Sequence, residues 1–180
     1  MLSARLVVVS GPPASGKTTV AVPLARGLAL PLVAKDTVKE ALMDVLGAED
    51  VERSGELGRA TFAVIHALAR SHLDTGAGLV LEANYSRGAS EAELLPLVAG
   101  TRAVVVHCWA PPDVLEARYR ARAAQRHPGH QDLPRLARGL PWLRPPATEP
   151  PDLGVPCLRV DTSQPWDAAA IAAWVRAHLK

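Results

Sequence analysis

Eight consecutive residues constrain this chain more than any other feature: Gly11, Pro12, Pro13, Ala14, Ser15, Gly16, Lys17 and Thr18. They satisfy G-x-x-x-x-G-K-[ST], the P-loop spacing, in which successive backbone N–H groups wrap the phosphates of a nucleotide. Gly11 and Gly16 permit dihedrals and a closeness of approach that a Cβ forbids. Lys17 brings a point charge to the β- and γ-phosphates, and the Thr18 hydroxyl is placed to ligate Mg2+. Context strengthens the reading. The loop follows an apolar run over 5–10 that reads as a buried strand, and precedes a stretch over 19–29, opening at Thr19, that reads as a helix. Strand, loop and helix in that order aim a helix N-terminus at an anion. At ordinary residue frequencies the four fixed positions recur by chance in roughly one chain of this length in a few hundred.

With 180 residues and 48% hydrophobic content, 1–180 reads as a single domain. Such a domain buries roughly 70% of its unfolded surface and needs neither disulfide nor metal to hold it. Cys108 and Cys157, each inside an apolar run, read as buried thiols in a reducing cytoplasm. The formal charge of +2 is too small to argue for nucleic acid by bulk electrostatics. The N-terminus runs straight into the first strand without a secretory pattern, and no apolar stretch approaches a membrane span. The expectation is a cytoplasmic protein with no membrane partner.

Strands and helices alternate. Strands are expected over 30–34, 79–83, 103–109 and 157–160, after the first over 5–10. Thr37 and Glu40 form a capping-box pattern, which predicts a helix from Val38 to about Leu46. Phe62, Ile65, Leu68 and Ala69, at helical spacing, predict another over 57–75. Further helices are expected over 90–98, from Pro111 to about Gln125, and over 165–179, with Asp161 to Ser163 capping the last and Trp166 and Trp174 in its core face. The pattern predicts an α/β fold, a three-layer sandwich of about five parallel strands with helices on both faces.

One segment breaks the rhythm. Eight of the sixteen prolines fall between His127 and Pro156. A loop of that length in a compact domain is either disordered or a functional lid, and 118–156 reads as an Arg-bearing lid. Arg118, Arg122 and Arg126 fall on one helical face, four residues apart. A bound anion would compensate their repulsion, and a solvated face is the plainer alternative. Pro128-Gly129 between His127 and His130 makes a turn more simply than the pair makes a metal site with Asp132.

Other candidates cluster at the carboxyl edge of the sheet, where open α/β sheets bind ligands. Asp36 lies there, beyond the capping box, as a base or acceptor-orienting carboxylate, or as a plain surface residue. Lys35 and Lys39 flank it, either holding an anionic part of an acceptor or merely solvated. Glu82 ends a buried strand, where an unpaired carboxylate is costly. A water-mediated metal contact, a hydrogen bond to Thr18 or a pairing with arginine would each explain it. Asn84, Tyr85 and Arg87 follow as acceptor-binding candidates.

The chain lacks the Asn-Lys-x-Asp guanine-reading motif and the Leu-Ser-Gly-Gly-Gln transporter signature, and is too short for the extra helical domain of a ring ATPase. In Gly11 to Thr18, Asp36, 79–84, Arg118 with Arg122, and 160–163, it resembles the zeta-toxin and chloramphenicol-phosphotransferase-like branch of P-loop kinases. The resemblance implies ATP and Mg2+ as cofactors, Asp36 as base for an acceptor hydroxyl, and nucleotide contacts from the P-loop, Thr19 and the lid arginines. The branch usually has Asp where this chain has Glu82, one methylene longer near the metal. Phosphoryl transfer asks a protein for positioning and charge neutralisation. Arg122 and Arg126 would supply the latter from the lid, with Arg126 also an acceptor-binding candidate and Arg118 on the adenine or an α/β-phosphate. The acceptor expected is a hydroxylated small molecule. A polynucleotide 5′-hydroxyl kinase would need a basic groove and stacking aromatics, against seven aromatics here. A non-catalytic ATP-dependent switch is the other rival. Oligomeric state and the choice of adenine or guanine leave no mark in the sequence.

Overall fold

The computed structural model describes residues 4–179. Part of the N-terminal reading falls on residues 1–3, outside the described residues. Five strands, β1 (Arg5–Ser10), β2 (Leu32–Ala34), β3 (Leu79–Glu82), β4 (Arg102–Trp109) and β5 (Cys157–Asp161), form one parallel sheet in the order β2-β3-β1-β4-β5. The helices are α1 (Lys17–Leu28), α2 (Lys35–Leu46), α3 (Val51–Asp74), α4 (Glu91–Val98), α5 (Pro112–Arg122), α6 (Asp132–Ala137) and α7 (Ala168–His178).

β1 is the central strand, and its side chains alternate between two cores. Val7 and Val9 pack with Val20 and Leu24 of α1 and with Ile171 and Val175 of α7. Leu6 and Val8 pack on the opposite face with Ile65 and Ala69 of α3 and with Leu94 and Leu97 of α4. Covering both faces explains why β1 and β4 read as unbroken apolar runs rather than alternating ones. Each fully buried Val or Leu stabilises the fold by about 1.5–3 kcal/mol relative to exposure. The three-layer sandwich is as expected.

Register places the site. Glu82 pairs with Val9 on one side and with Ala34 on the other, so these three residues share a row across the sheet. The P-loop therefore leaves β1, and α2 leaves β2, at the same carboxyl edge, with Glu82 between them.

Several boundaries differ from expectation. The capping box over 37–40 does not form: α2 begins at Lys35, after an extended Ala34, with no side-chain cap. β2 runs into the helix with no intervening loop, and Asp36 consequently sits in the first turn rather than outside it. Glu40 is occupied elsewhere, 2.8 Å from His130 Nε2. α3 begins six residues before the expected start, because Asp50 caps it by accepting from the Arg53 N–H at 2.7 Å. Leu68 is exposed, off the buried stripe. Cys108 is buried but Cys157, at the start of edge strand β5, is exposed. The last helix is capped by Asp167, whose carboxylate accepts from the Ala169 N–H at 2.8 Å. Asp161 instead turns the chain after β5 by accepting from the backbone and hydroxyl of Ser163.

The proline-rich segment is folded. It carries a 3-10 turn over Pro128–His130, then α6, then a second turn over Pro141–Leu143. His107 of β4, fully buried, bridges Ser10 Oγ and the Thr148 carbonyl at 2.9 Å each, which ties the returning end of this segment to the sheet. Burial pushes the His107 imidazole down to about 4, so it is neutral and suited to that bridge.

Candidate active site

The P-loop geometry follows from two glycines. A Cβ on Gly11, at φ 142°, would run into the Cys108 carbonyl oxygen of β4, so only glycine lets the loop pass that close. Gly16, at φ 76°, turns the chain into α1 from the left-handed region. Thr162, after β5, donates to the Ser15 carbonyl at 3.0 Å and fixes the loop from the other side. Ser15 Oγ is buried without a hydrogen-bond partner among the described residues. Lys17 Nζ donates to the Pro12 carbonyl at 2.9 Å, folded back over its own loop. Burial lowers the Lys17 pKa, against opposing pulls from Glu82 and Asp36.

A cleft of about 430 Å3 opens over this loop at the carboxyl edge. Thr18 Oγ1 donates to Glu82 Oε2 at 3.0 Å on its floor. Of the three explanations weighed for Glu82, the hydrogen bond to Thr18 is the one observed. Burial raises the Glu82 pKa, against the pull of Lys17. Across the cleft stands Asp36. Burial alone would raise its carboxyl, but Lys35 and Arg126 together hold it below the usual carboxylate range. Arg126 Nη2 donates to Asp36 Oδ2 at 2.6 Å, and its Nη1 donates to Asp132 Oδ2 at 3.1 Å.

The three arginines do not stack. α5 ends at Arg122, short of the expected Gln125, and each guanidinium finds a different environment. Arg118 donates to the Thr162 hydroxyl and carbonyl at 3.0 and 2.8 Å, beside a second cavity of about 290 Å3 shared with Gly16, Thr19 and Trp166. Arg126 is taken up by the two carboxylates. Arg122 lines both cavities, packs 5.3 Å from the Tyr119 ring, and keeps a buried Nε with no partner among the described residues. Burial and the Arg126 charge lower its pKa.

The remaining candidates divide. Lys35, Asp36 and Asn84 line the cleft together with Pro13, Ala14, Gly16, Lys17, Thr18 and Thr19. Lys39 lines it too and is buried, not solvated. Arg87 does not: its backbone N–H donates to the Glu149 carbonyl and its side chain lies 3.6 Å from Asp152. Tyr85 is in the core, its hydroxyl 2.8 Å from His66 Nε2. His127 faces Asp44 at 3.0 Å and His130 faces Glu40, so both histidines fasten the segment after α5 to α2. Sequence reasoning missed Ser54, Gly55, Gly58 and Arg59 of α3 and Arg135 of α6, all cleft-lining. The signal for the α3 group was Asp50 as an N-cap, which puts the two glycines inside the helix.

Central strand, P-loop, buried acidic partner for the P-loop threonine, and an arginine-bearing lid define the P-loop NTPase kinase fold. The chain belongs to the AAA domain family, whose profile matches residues 6–146. A crystal structure of a candidate kinase from Chloroflexus aurantiacus J-10-fl is 35% identical, with TM-score 0.86, over 99% of this chain and all of the other. The APS kinase CysC of Mycobacterium tuberculosis, in complex with AMPPNP and APS, shares the fold at 20% identity and TM-score 0.65, covering 99% of each chain. A gluconokinase from Sinorhizobium meliloti 1021 does so at 19% identity and TM-score 0.54, over 99% of this chain and 93% of that one. No curated protein matches significantly. No helix among the described residues is long and apolar enough to cross a membrane.

Proposed function

We propose that this chain is an ATP- and Mg2+-dependent kinase that transfers the γ-phosphate to a hydroxyl of a small-molecule acceptor, with 1–180 acting as one domain and 118–156 as its lid. The observation that carries the reading is a single cleft lined by the P-loop, Thr18 with Glu82, Asp36 and Arg122. The orphaned Arg122 Nε fits a phosphate chain laid between loop and lid, since a buried donor calls for an acceptor. Gly16, Lys17, Thr18 and Thr19 present N–H groups at the start of α1, and Lys17 exchanges its bond to Pro12 for the β- and γ-phosphates. Thr18 and Glu82 would hold the metal, which when bound neutralises charge on the β- and γ-oxygens.

Asp36 has one carboxylate oxygen engaged by Arg126 and the other 4.0 Å from Lys35. The second oxygen serves as an ionised acceptor, orienting the incoming hydroxyl and taking its proton as the oxygen attacks the γ-phosphorus and the bond to the β–γ bridging oxygen breaks, releasing ADP. Arg122, which lines the cleft and has no hydrogen-bonded protein acceptor among the described residues, stabilises the transferring group. Arg118 borders the second cavity, where the nucleoside is accommodated. Asp36 directly beyond β2 also supports placing the chain with the zeta-toxin and chloramphenicol-phosphotransferase-like kinases. The neighbour solved with AMPPNP and APS supports a nucleotide in this fold's loop. Phosphorus NMR or mass spectrometry of hydroxylated small molecules incubated with ATP and Mg2+ tests the reading. A phosphorylated acceptor made by the native chain and not by Lys17→Ala is the expected outcome. Tight ATP binding without transfer to any acceptor class would overturn it in favour of a switch.

A further inference from the structure

The cleft concentrates positive charge far beyond the chain's average. Lys17, Lys35, Lys39, Arg59, Arg122, Arg126 and Arg135 line it against Asp36, Glu82 and Asp132. Seven cations less three carboxylates leave +4 there, against a formal +2 for the whole chain. A triphosphate with its metal accounts for Lys17, Arg122 and Glu82 at the P-loop end. The surplus lies at the other end, between α2, α3 and α6.

Lys39 is the decisive residue. It is 5% exposed, and its ammonium donates to Ser54 Oγ at 3.0 Å. Every nearby carboxylate already serves another group: Asp36 serves Arg126, Asp132 serves Arg126 and Tyr119, and Glu40 faces His130. No carboxylate among the described residues comes within 4.0 Å of Lys39, and Arg59 makes no ion pair. A buried cation without a counter-ion costs several kcal/mol of solvation that one hydrogen bond does not return. Burial, followed by the like charges of Lys35 and Arg135, pushes the Lys39 pKa down to about 8.

The wall beside it is cleared. Gly55 and Gly58 face the cleft from inside α3, where glycine is less favourable than alanine. A Cβ on Gly58 would stand 3.7 Å from both Cε and Nζ of Lys39, in contact with the ammonium on the cleft wall. Glycine leaves that approach free.

We propose that the acceptor carries an anionic group, a carboxylate or a phosphoryl or sulfuryl oxyanion, in addition to its reacting hydroxyl, and that Lys39, Ser54 and Arg59 hold it. The inference rests on the kinase reading and names its substrate class. Phosphate at the P-loop and the acceptor's anion on α2 and α3 would then bracket Asp36, bringing the hydroxyl between them.

The test has two arms. In the first, the AMPPNP–Mg2+-loaded protein is titrated calorimetrically with inorganic phosphate and with glycerate. One saturable site is expected, weakened at least 10-fold by Lys39→Met and also by Gly58→Ala, a change that favours the helix and so separates blocked access from damaged structure. Absence of that site, or equal binding by Lys39→Met, overturns the inference. In the second arm, ATP consumption is compared for matched pairs, glycerate with glycerol and gluconate with glucitol. Preference for the charged member by 10-fold or more in kcat/KM, lost in Lys39→Met, supports the inference. Turnover of the neutral members alone overturns it and leaves the kinase reading standing. Anion binding without turnover of any acceptor in the wider screen overturns the kinase reading and keeps the site.

Discussion

The two ends of the cleft are built by opposite means. At the nucleotide end the donors are backbone, the residues are contiguous, and glycine decides the geometry: Gly11 and Gly16 allow a turn that leans on Cys108 and Thr162. At the acceptor end the donors are side chains drawn from α2, α3, α6 and the connection after α5, held in place by ion pairs such as Arg126 with Asp36 and Asp132. Backbone cradles suit a ligand common to many proteins, because they depend on chain conformation. Side-chain pockets assembled from distant segments suit a ligand particular to one protein, because any of those segments can change its residues.

The largest effect should come from the backbone-built end. Lys17→Ala removes a charge that the transferring phosphate needs, and transfer should fall by at least about 10³-fold. The fold should survive, since burial penalises the Lys17 ammonium and, among the described residues, its one hydrogen bond is to the Pro12 carbonyl. Initial rates beside a thermal melt check both halves. Substantial activity in the variant would remove the P-loop from the chemistry.

Next in size is Asp36→Asn, which keeps the shape and the Arg126 contact but cannot accept a proton. Turnover should drop roughly 10²–10⁴-fold, with ATP affinity nearly unchanged. Because its neighbours hold Asp36 below the usual carboxylate range, protonation of Asp36 itself should not limit the native rate until pH falls below that range. The sign is that of a depressed acid: ionised above its pKa, active there, and lost only as pH falls through it. If ATP affinity collapses instead, Asp36 belongs to the nucleotide end and the division drawn above is misplaced.

Arg122→Ala comes third, at roughly 10²–10³ in kcat. Arg118→Ala should instead raise the KM for ATP, because Arg118 is committed to Thr162 beside the second cavity. Equal kcat losses in the two variants would show that the lid arginines act as one unit.

The same contrast governs what could be read from the sequence. The P-loop was legible because its chemistry is local: eight residues in one turn. Sheet and layers were legible because β1 and β4 are apolar on both faces. Glu82 was legible as a buried carboxylate needing a partner, and the register brought Thr18 to it. The acceptor end was not, for three reasons. α2 starts without a side-chain cap, so Thr37 and Glu40 misplaced its beginning and put Asp36 outside the helix. Two glycines inside α3 hid its first two turns, and Ser54 and Arg59 with them. Arg87 and Tyr85 follow Glu82 closely in sequence, yet after Asn84 the chain turns so that one meets Asp152 and the other enters the core. Arg126 was read as an acceptor-binding residue and a second phosphate cation; it lines the cleft, and its hydrogen bonds to Asp36 and Asp132 were not legible. Proximity in the chain predicts a site only while the chain does not turn.

The smallest expected effect concerns stability and opposes the losses in function. Lys39 titrates near 8 in the fold, against 10.5 when unhindered. A base whose pKa is depressed by folding binds fewer protons in the native state than in the unfolded one. Below pH 8 it therefore weakens the fold by a constant amount, and the penalty fades as pH climbs from 8 toward 10.5. The groups that set this are Lys35 on its own helix, Asp36, Arg126 and Arg135 facing it, His130 beside them, and Ser54 as its bonded partner. Lys39→Met keeps the volume and removes the charge, at the cost of leaving Ser54 Oγ without its donor. The variant should be more stable than the native protein by about 2 kcal/mol at pH 7, and the gap should close by pH 10.5. Urea melts of both proteins at the two pH values measure it, with the shared titrations of other lysines and tyrosines cancelling in the difference. A variant less stable at pH 7 would mean that the ammonium is an element of the fold. A more stable variant would mean that a costly charge is retained at the acceptor end, where the P-loop end keeps glycines.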